Sequence, residues 1–125
     1  MRYLIDSHVF LWFSDAQSPL TKEHTDLLGD PRQELYLSVA SVWELSIKRA
    51  LGKLRSTGSF QAAAEKFRLE LLTIDLRHVE ELETLPRLHR DPFDHMLIAQ
   101  ARVEGLILVT HDDAIARYEV PVLRV

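Results

Sequence analysis

Four carboxylates in this 125-residue chain stand where chemistry could be done: Asp6, Glu44, Asp94 and Asp112. Each lies where an apolar run gives way to a helix, or in the first turn of one. Asp6 closes the run Tyr3-Leu4-Ile5, and Asp112 follows the run Leu106 to Val109 with Thr110 just before it. Glu44 is placed in the first turn of a helix that follows the strand-like Leu35-Tyr36-Leu37 and the serines Ser38 and Ser41. Asp94 is placed in the first turn of the helix opened by Asp91-Pro92, a capping acid followed by proline at the first helical position. In open α/β sheets, ligands bind outside the carboxyl ends of the strands. A helix running back antiparallel to the next strand begins near that strand's carboxyl end. The four acids are therefore expected at one end of one sheet.

Each acid also has a plain structural role. Asp6 and Asp112 can cap the helices that follow them. Ser41-Val42-Trp43-Glu44 fits a capping box, and Glu44 can pair with Lys48 one turn on. Asp94 suits the positive end of its helix dipole. Such caps contribute about 1 kcal/mol each, whereas two carboxylates 5 Å apart repel by about 3 kcal/mol at an effective dielectric near 20. Four gathered acids with few cations beside them are better explained by a divalent ion. All-oxygen ligands suit Mg²⁺ or Mn²⁺, and one or two such ions in an acidic pocket suit phosphodiester hydrolysis.

The elements that must position these residues alternate strand and helix. Strands are expected at residues 3–5, 35–37, 72–76, 106–109 and 122–125. Helices are expected at residues 9–13, 20–29, 41–51, 60–71, 79–85, 91–104 and 112–118, with Gly52 and Gly105 as stops. Nearly continuous apolar strands separated by helices predict a short, mainly parallel sheet of four or five strands in a three-layer α/β/α sandwich. No repeat or linker divides residues 1–125, so a single domain is expected.

Composition narrows the class. Hydrophobic residues make up 46% and charged residues 27%, which excludes a disordered chain. No apolar run approaches the roughly 20 residues of a membrane helix. Asp6 and His8 interrupt any signal-peptide core, so a cytoplasmic protein with no membrane contact is expected. Without cysteine, disulfides and thiolate chemistry are excluded. The net charge of −4 is unusual for a protein that grips nucleic acid by charge alone; bound cations would explain how an acidic chain meets a polyanion. Lys48, Arg49 and Arg90 are candidate phosphate contacts.

Leu4-Ile5-Asp6-Ser7-His8, Ser41-Val42-Trp43-Glu44, Arg90-Asp91-Pro92-Phe93-Asp94 and Leu108-Val109-Thr110-His111-Asp112 resemble, in order and spacing, the PIN-domain nucleases. The VapC-type toxins of toxin–antitoxin modules are the nearest resemblance, and it covers essentially the whole chain. It implies a metal-dependent endoribonuclease with Asp6, Glu44 and Asp94 as ligands to Mg²⁺ or Mn²⁺. Asp112 would complete the site, directly or through water, with exchange between Asp112 and Asp113 left open. It further implies Ser7 and Thr110 as supporting hydroxyls, Asp91 as a helix cap, an RNA substrate, a homodimer, and a small antitoxin that covers the acidic pocket. Apolar surface for such partners is sought at Val9 to Phe13 or around Trp43 and Ile47. One departure stands out: relatives often carry Arg after the Asp-Pro-Phe-Asp segment, where this chain has His95, expected on the helix surface. His8 and His111 flank matched acids and are expected to point away.

Other classes fit less well. A phospho-acceptor receiver domain needs paired acids after its first strand and a lysine after its last, and Pro121 to Val125 contains no lysine. A haloacid-type phosphatase needs a second Asp two residues after Asp6, where His8 stands. A catalytically silent PIN-fold interaction module would be signalled by loss of one of the matched acids, and none is missing.

Overall fold

The computed structural model describes residues 1–125. Five strands, β1 (Arg2–Ile5), β2 (Glu34–Ser38), β3 (Leu69–Leu72), β4 (Ile107–Thr110) and β5 (Val122–Arg124), form one sheet in the order β3-β2-β1-β4-β5. Every neighbouring pair is parallel. Seven helices cover it: α1 (Ser7–Trp12), α2 (Lys22–Gly29), α3 (Val39–Ala50), α4 (Phe60–Lys66), α5 (Leu76–Leu82), α6 (Pro92–Glu104) and α7 (Asp113–Ala116).

Period-two alternation along the strands creates two cores. Tyr3, Ile5, Leu35, Leu37, Leu69 and Val109 pack against Val9, Phe10, Leu28, Leu45 and Ala64 of α1 to α4. Leu4 and Leu108 face the other way, against Leu97, Ile98 and Ala101 of α6, Ile115 of α7, and Tyr118. This is the expected sandwich, with helices on both faces of a fully parallel sheet. Between β1 and β4 the strand order changes direction, and the crevice this opens at the carboxyl ends is the usual place for a ligand.

Four expected elements are displaced. The helix predicted over 60–71 ends at Lys66, because Arg68 takes a left-handed conformation (φ 58°) and turns the chain into β3. The third strand therefore runs over Leu69–Leu72 rather than 72–76. Its register with β2, from Leu35 opposite Leu69 to Ser38 opposite Leu72, decides the matter over local helical spacing. Asp75 then caps α5, which starts three residues before the predicted 79. The fourth shift concerns α3, discussed below. At the far end of α6, Gly105 supplies the left-handed cap (φ 68°) that lets the chain enter β4. No helix is long and apolar enough to cross a membrane.

Candidate metal centre

Asp6 leaves the end of β1 beside β4, where its backbone N–H donates to the Val109 carbonyl (3.1 Å). Its Oδ1 accepts from the Val9 backbone N–H at 2.9 Å and so caps α1. The side chain is almost fully buried. Burial pushes its carboxyl above the ordinary Asp range, against the pull of the Thr110 hydroxyl, the Val9 N–H and His8; the charge of Asp112 pushes it further up.

Glu44 reaches the same end by a different route from the one its sequence suggests. The cap of α3 is Ser38, whose hydroxyl accepts from the Ala40 N–H at 3.0 Å. The helix thus starts before Ser41, no Ser41–Glu44 capping box forms, and the Ser41 hydroxyl is buried without a partner. Freed from capping, Glu44 accepts from the Ser7 hydroxyl at 2.7 Å through Oε1, and Lys48 stands 3.7 Å from Oε2. Asp112 caps α7, with Oδ1 accepting from the Ala114 N–H at 2.8 Å. Asp113 is exposed and pairs with Arg124. Of these two neighbours, Asp112 is the one whose charge is felt at Asp6 and Asp94.

Asp94 sits in the first turn of α6, whose cap Asp91 accepts from the Phe93 and Asp94 N–H groups at 2.9 and 3.2 Å. Burial raises the Asp94 carboxyl to about 7; His89 pulls it down, while Asp91 and Asp112 push it up. Its Oδ2 lies 3.1 Å from His89 Nε2. The sequence reading did not single out His89, which precedes the Asp91 cap and shows no motif of its own. His95 is not a free surface residue: its Nε2 lies 2.9 Å from the His89 carbonyl and 3.2 Å from the Tyr118 hydroxyl.

A cleft of about 430 Å³ is lined by Asp6, His8, Trp12, His111, Asp112 and Asp113. His8 and His111 therefore face it, contrary to expectation. Glu44 and Asp94 lie outside this lining, approaching on α3 and α6, which meet where Trp43 packs edge-on to Phe93 with centroids 5.0 Å apart. No three of these acids bring their oxygens within 4.8 Å of one another. The one trio of metal-type groups within 4.8 Å of one another is elsewhere, at Asp75, His78 and Glu104. There His78 Nδ1 accepts from the Asp75 N–H (3.0 Å), its Nε2 donates to Glu104 (3.0 Å), and Arg77 bonds both carboxylates. With both ring nitrogens engaged, that trio ties α5 to α6.

The donor set at the sheet end suits a hard divalent cation. Asp6, Asp94 and Asp112 pair with no Lys or Arg, and Asp94 Oδ1 accepts from no protein group. Burial pushes two of these carboxyls toward the protonated form, and a bound cation would oppose that push. Among the candidate phosphate contacts, Arg90 is exposed and Lys48 stands beside Glu44. Arg49 is committed elsewhere: it bonds the Gly58 carbonyl and the Ser56 hydroxyl, and lies over the Phe60 ring at 4.0 Å. Of the two apolar segments considered for partners, Val9 and Phe10 are core. Along α3, Trp43, Ile47 and Leu51 stay exposed, Trp43 to 60%.

This is a parallel α/β fold with an acid ending β1 and another following β4. The PIN domain family model matches residues 3–121, and the chain belongs to that family. No curated protein matches it. Its fold is similar to that in VapBC2 from Rickettsia felis bound to a promoter DNA fragment: 16% identity, TM-score 0.76, over 100% of this chain and 99% of that one. VapBC-1 from nontypeable Haemophilus influenzae gives 17% and 0.65, over 99% and 98%. VapBC-5 from Mycobacterium tuberculosis, of the VapBC family of toxin–antitoxin systems, gives 21% and 0.61, again over 99% and 98%. At these identities the likeness is one of fold.

Proposed function

We propose that residues 1–125 form a single-domain, metal-dependent endoribonuclease, the toxin of a toxin–antitoxin pair, with Asp6, Glu44, Asp94 and Asp112 holding Mg²⁺ or Mn²⁺. The observation that carries this reading is buried Asp6 and half-buried Asp94, neither paired with Lys or Arg and each feeling the charge of Asp112, at the strand-order switch. A divalent ion bound there would supply the charge that draws in an RNA phosphate, a Lewis acid for the attacking water, and stabilisation of the leaving oxygen. The chain's own residues prepare the place. Val9 N–H and Thr110 hold Asp6, Ser7 holds Glu44, and the Ala114 N–H holds Asp112. Of these acids Asp6 is buried against the sheet, which limits competing water on its side of the site.

Two features support a protein partner: the exposed α3 stripe of Trp43, Ile47 and Leu51, and the similarity to toxins solved as VapBC assemblies. On this reading the partners are a small antitoxin and a second copy of the chain, in the cytoplasm. The test is cleavage of RNA by the purified, antitoxin-free chain with Mn²⁺, with Mg²⁺ and with chelator, beside Asp94→Asn. Cleavage that needs metal and vanishes in the variant is expected. No cleavage of a broad RNA panel, with no thermal shift on adding metal, would favour a silent interaction module instead.

A further inference from the structure

Asp94 differs from the other three acids in being held by an imidazole, and that imidazole is itself held. The Tyr118 hydroxyl is buried at the start of the segment after α7 and receives the backbone N–H groups of Leu88 (3.2 Å) and His89 (3.3 Å). Its own proton has two nearby nitrogens to go to: His89 Nδ1 at 2.8 Å and His95 Nε2 at 3.2 Å. His95 Nε2 also faces the His89 carbonyl at 2.9 Å, an acceptor only, so that nitrogen carries a hydrogen. The Tyr118 proton therefore points to His89 Nδ1. With Nδ1 accepting, Nε2 is the nitrogen that bears hydrogen and donates to Asp94 Oδ2 at 3.1 Å. Doubly protonated His89 would put a third donor on a hydroxyl oxygen that already accepts two.

We infer that Tyr118 and His89 act as a positioning pair for Asp94, committing Oδ2 to a fixed donor and leaving Oδ1 as the oxygen offered to a cation. The inference rests on Asp94 being a metal ligand. His89 and Tyr118 are positioning residues here, since neither reaches the other acids. The three rings pack edge to face, with centroids 4.9 Å apart for His89–His95 and 5.4 Å for His89–Tyr118, so the imidazole cannot swing freely. Partners behind carboxylate and histidine ligands commonly set metal affinity by ~10- to 100-fold.

The experiment has two readouts on the full chain. The first is the nitrogen NMR spectrum of the metal-free protein, with the His89 signals assigned by their loss in His89→Gln. A neutral ring with hydrogen on Nε2 is expected, and hydrogen on Nδ1 would overturn the inference whatever the protein does. The second is the Mn²⁺ concentration at half-maximal thermal stabilisation. His89→Ala should raise it by ~10- to 100-fold. His89→Gln, whose side-chain N–H can stand in for Nε2, should recover most of that loss, and Tyr118→Phe should fall between. A merely structural role would lower the metal-free melting temperature and leave the Mn²⁺ midpoint unmoved. If Asp94→Asn abolishes the Mn²⁺ response while His89→Ala leaves it unchanged, the positioning role fails alone. If Asp94→Asn also leaves it unchanged, the ligand assignment beneath it fails too.

Discussion

Replacing Asp94 by Asn should stabilise the metal-free protein, and should do so in a pH-dependent way. Burial raises the Asp94 carboxyl from an ordinary 3.8 to about 7. The folded state thus keeps a proton that the unfolded chain has already lost between these limits. Stability is then present at low pH and falls as pH rises through the window, which is the sign for a raised carboxyl. At 1.36 kcal/mol per pH unit the gap corresponds to about 4 kcal/mol at most. Contact with solvent and the His89 hydrogen bond argue for the lower half, about 2 kcal/mol. For a domain of this length that is on the order of 8 °C in melting temperature. The assay is urea or thermal unfolding in chelator at pH 5, 6, 7 and 8 for both proteins. The wild type should weaken relative to Asp94→Asn across that range, and saturating Mn²⁺ should close the gap at pH 8. Parallel curves from pH 5 to 8 would refute the claim that Asp94 is a half-buried carboxylate lacking a cation.

Two further substitutions separate site from scaffold. Ser7→Ala removes the 2.7 Å hydrogen bond that holds Glu44 and should weaken metal-dependent RNA cleavage by roughly tenfold with little change in melting temperature, measured at subsaturating Mn²⁺; unchanged cleavage would free Glu44 of any role Ser7 supports. Arg49→Ala should cost about 1–2 kcal/mol in urea unfolding, because the guanidinium ties the Ser56–Gly58 loop and covers Phe60. It should leave the salt dependence of RNA binding unchanged, and a shallower slope would return Arg49 to the phosphate contacts.

What the sequence displayed and what it hid follow from how local each signal is. The Asp91-Pro92 start and Gly105 stop of α6 are written in residues that act on their own backbone, and so were legible. So were the positions of Asp6 and Asp112, since an acid ending an apolar run marks a strand end whatever the partners. The third strand was not, because residues 60–71 keep a helical spacing that only pairing with β2 and the turn at Arg68 interrupt. The place of Glu44 was read correctly to the helix but not to its turn: Ser38 and Ser41 are both good caps, and the end of β2 selects the first. His89 was invisible for a different reason. Its contact to Asp94 spans five residues but its orientation depends on Tyr118, 29 residues away, and no local pattern encodes that meeting.

Capping and metal binding looked like rival accounts of these acids, and the geometry removes the rivalry. Asp6 and Asp112 each commit Oδ1 to a helix N–H at 2.9 and 2.8 Å, and each points its carboxylate along the first turn of a short helix. The cap fixes the side chain's rotamer and, for buried Asp6, offsets part of its burial with a helix N-terminus. It does not neutralise the charge: the Val9 N–H pulls the Asp6 carboxyl down, but burial outweighs it. A cap therefore does for Asp6 what His89 does for Asp94: it holds one oxygen and leaves the charge unmet. Lys or Arg in either place would have met it and removed the need for a cation. Under the proposed function, the same reasoning would let a chain of net charge −4 meet RNA. Its positive charge at the site is expected from solution, held where strands β1 and β4 part, rather than from side chains.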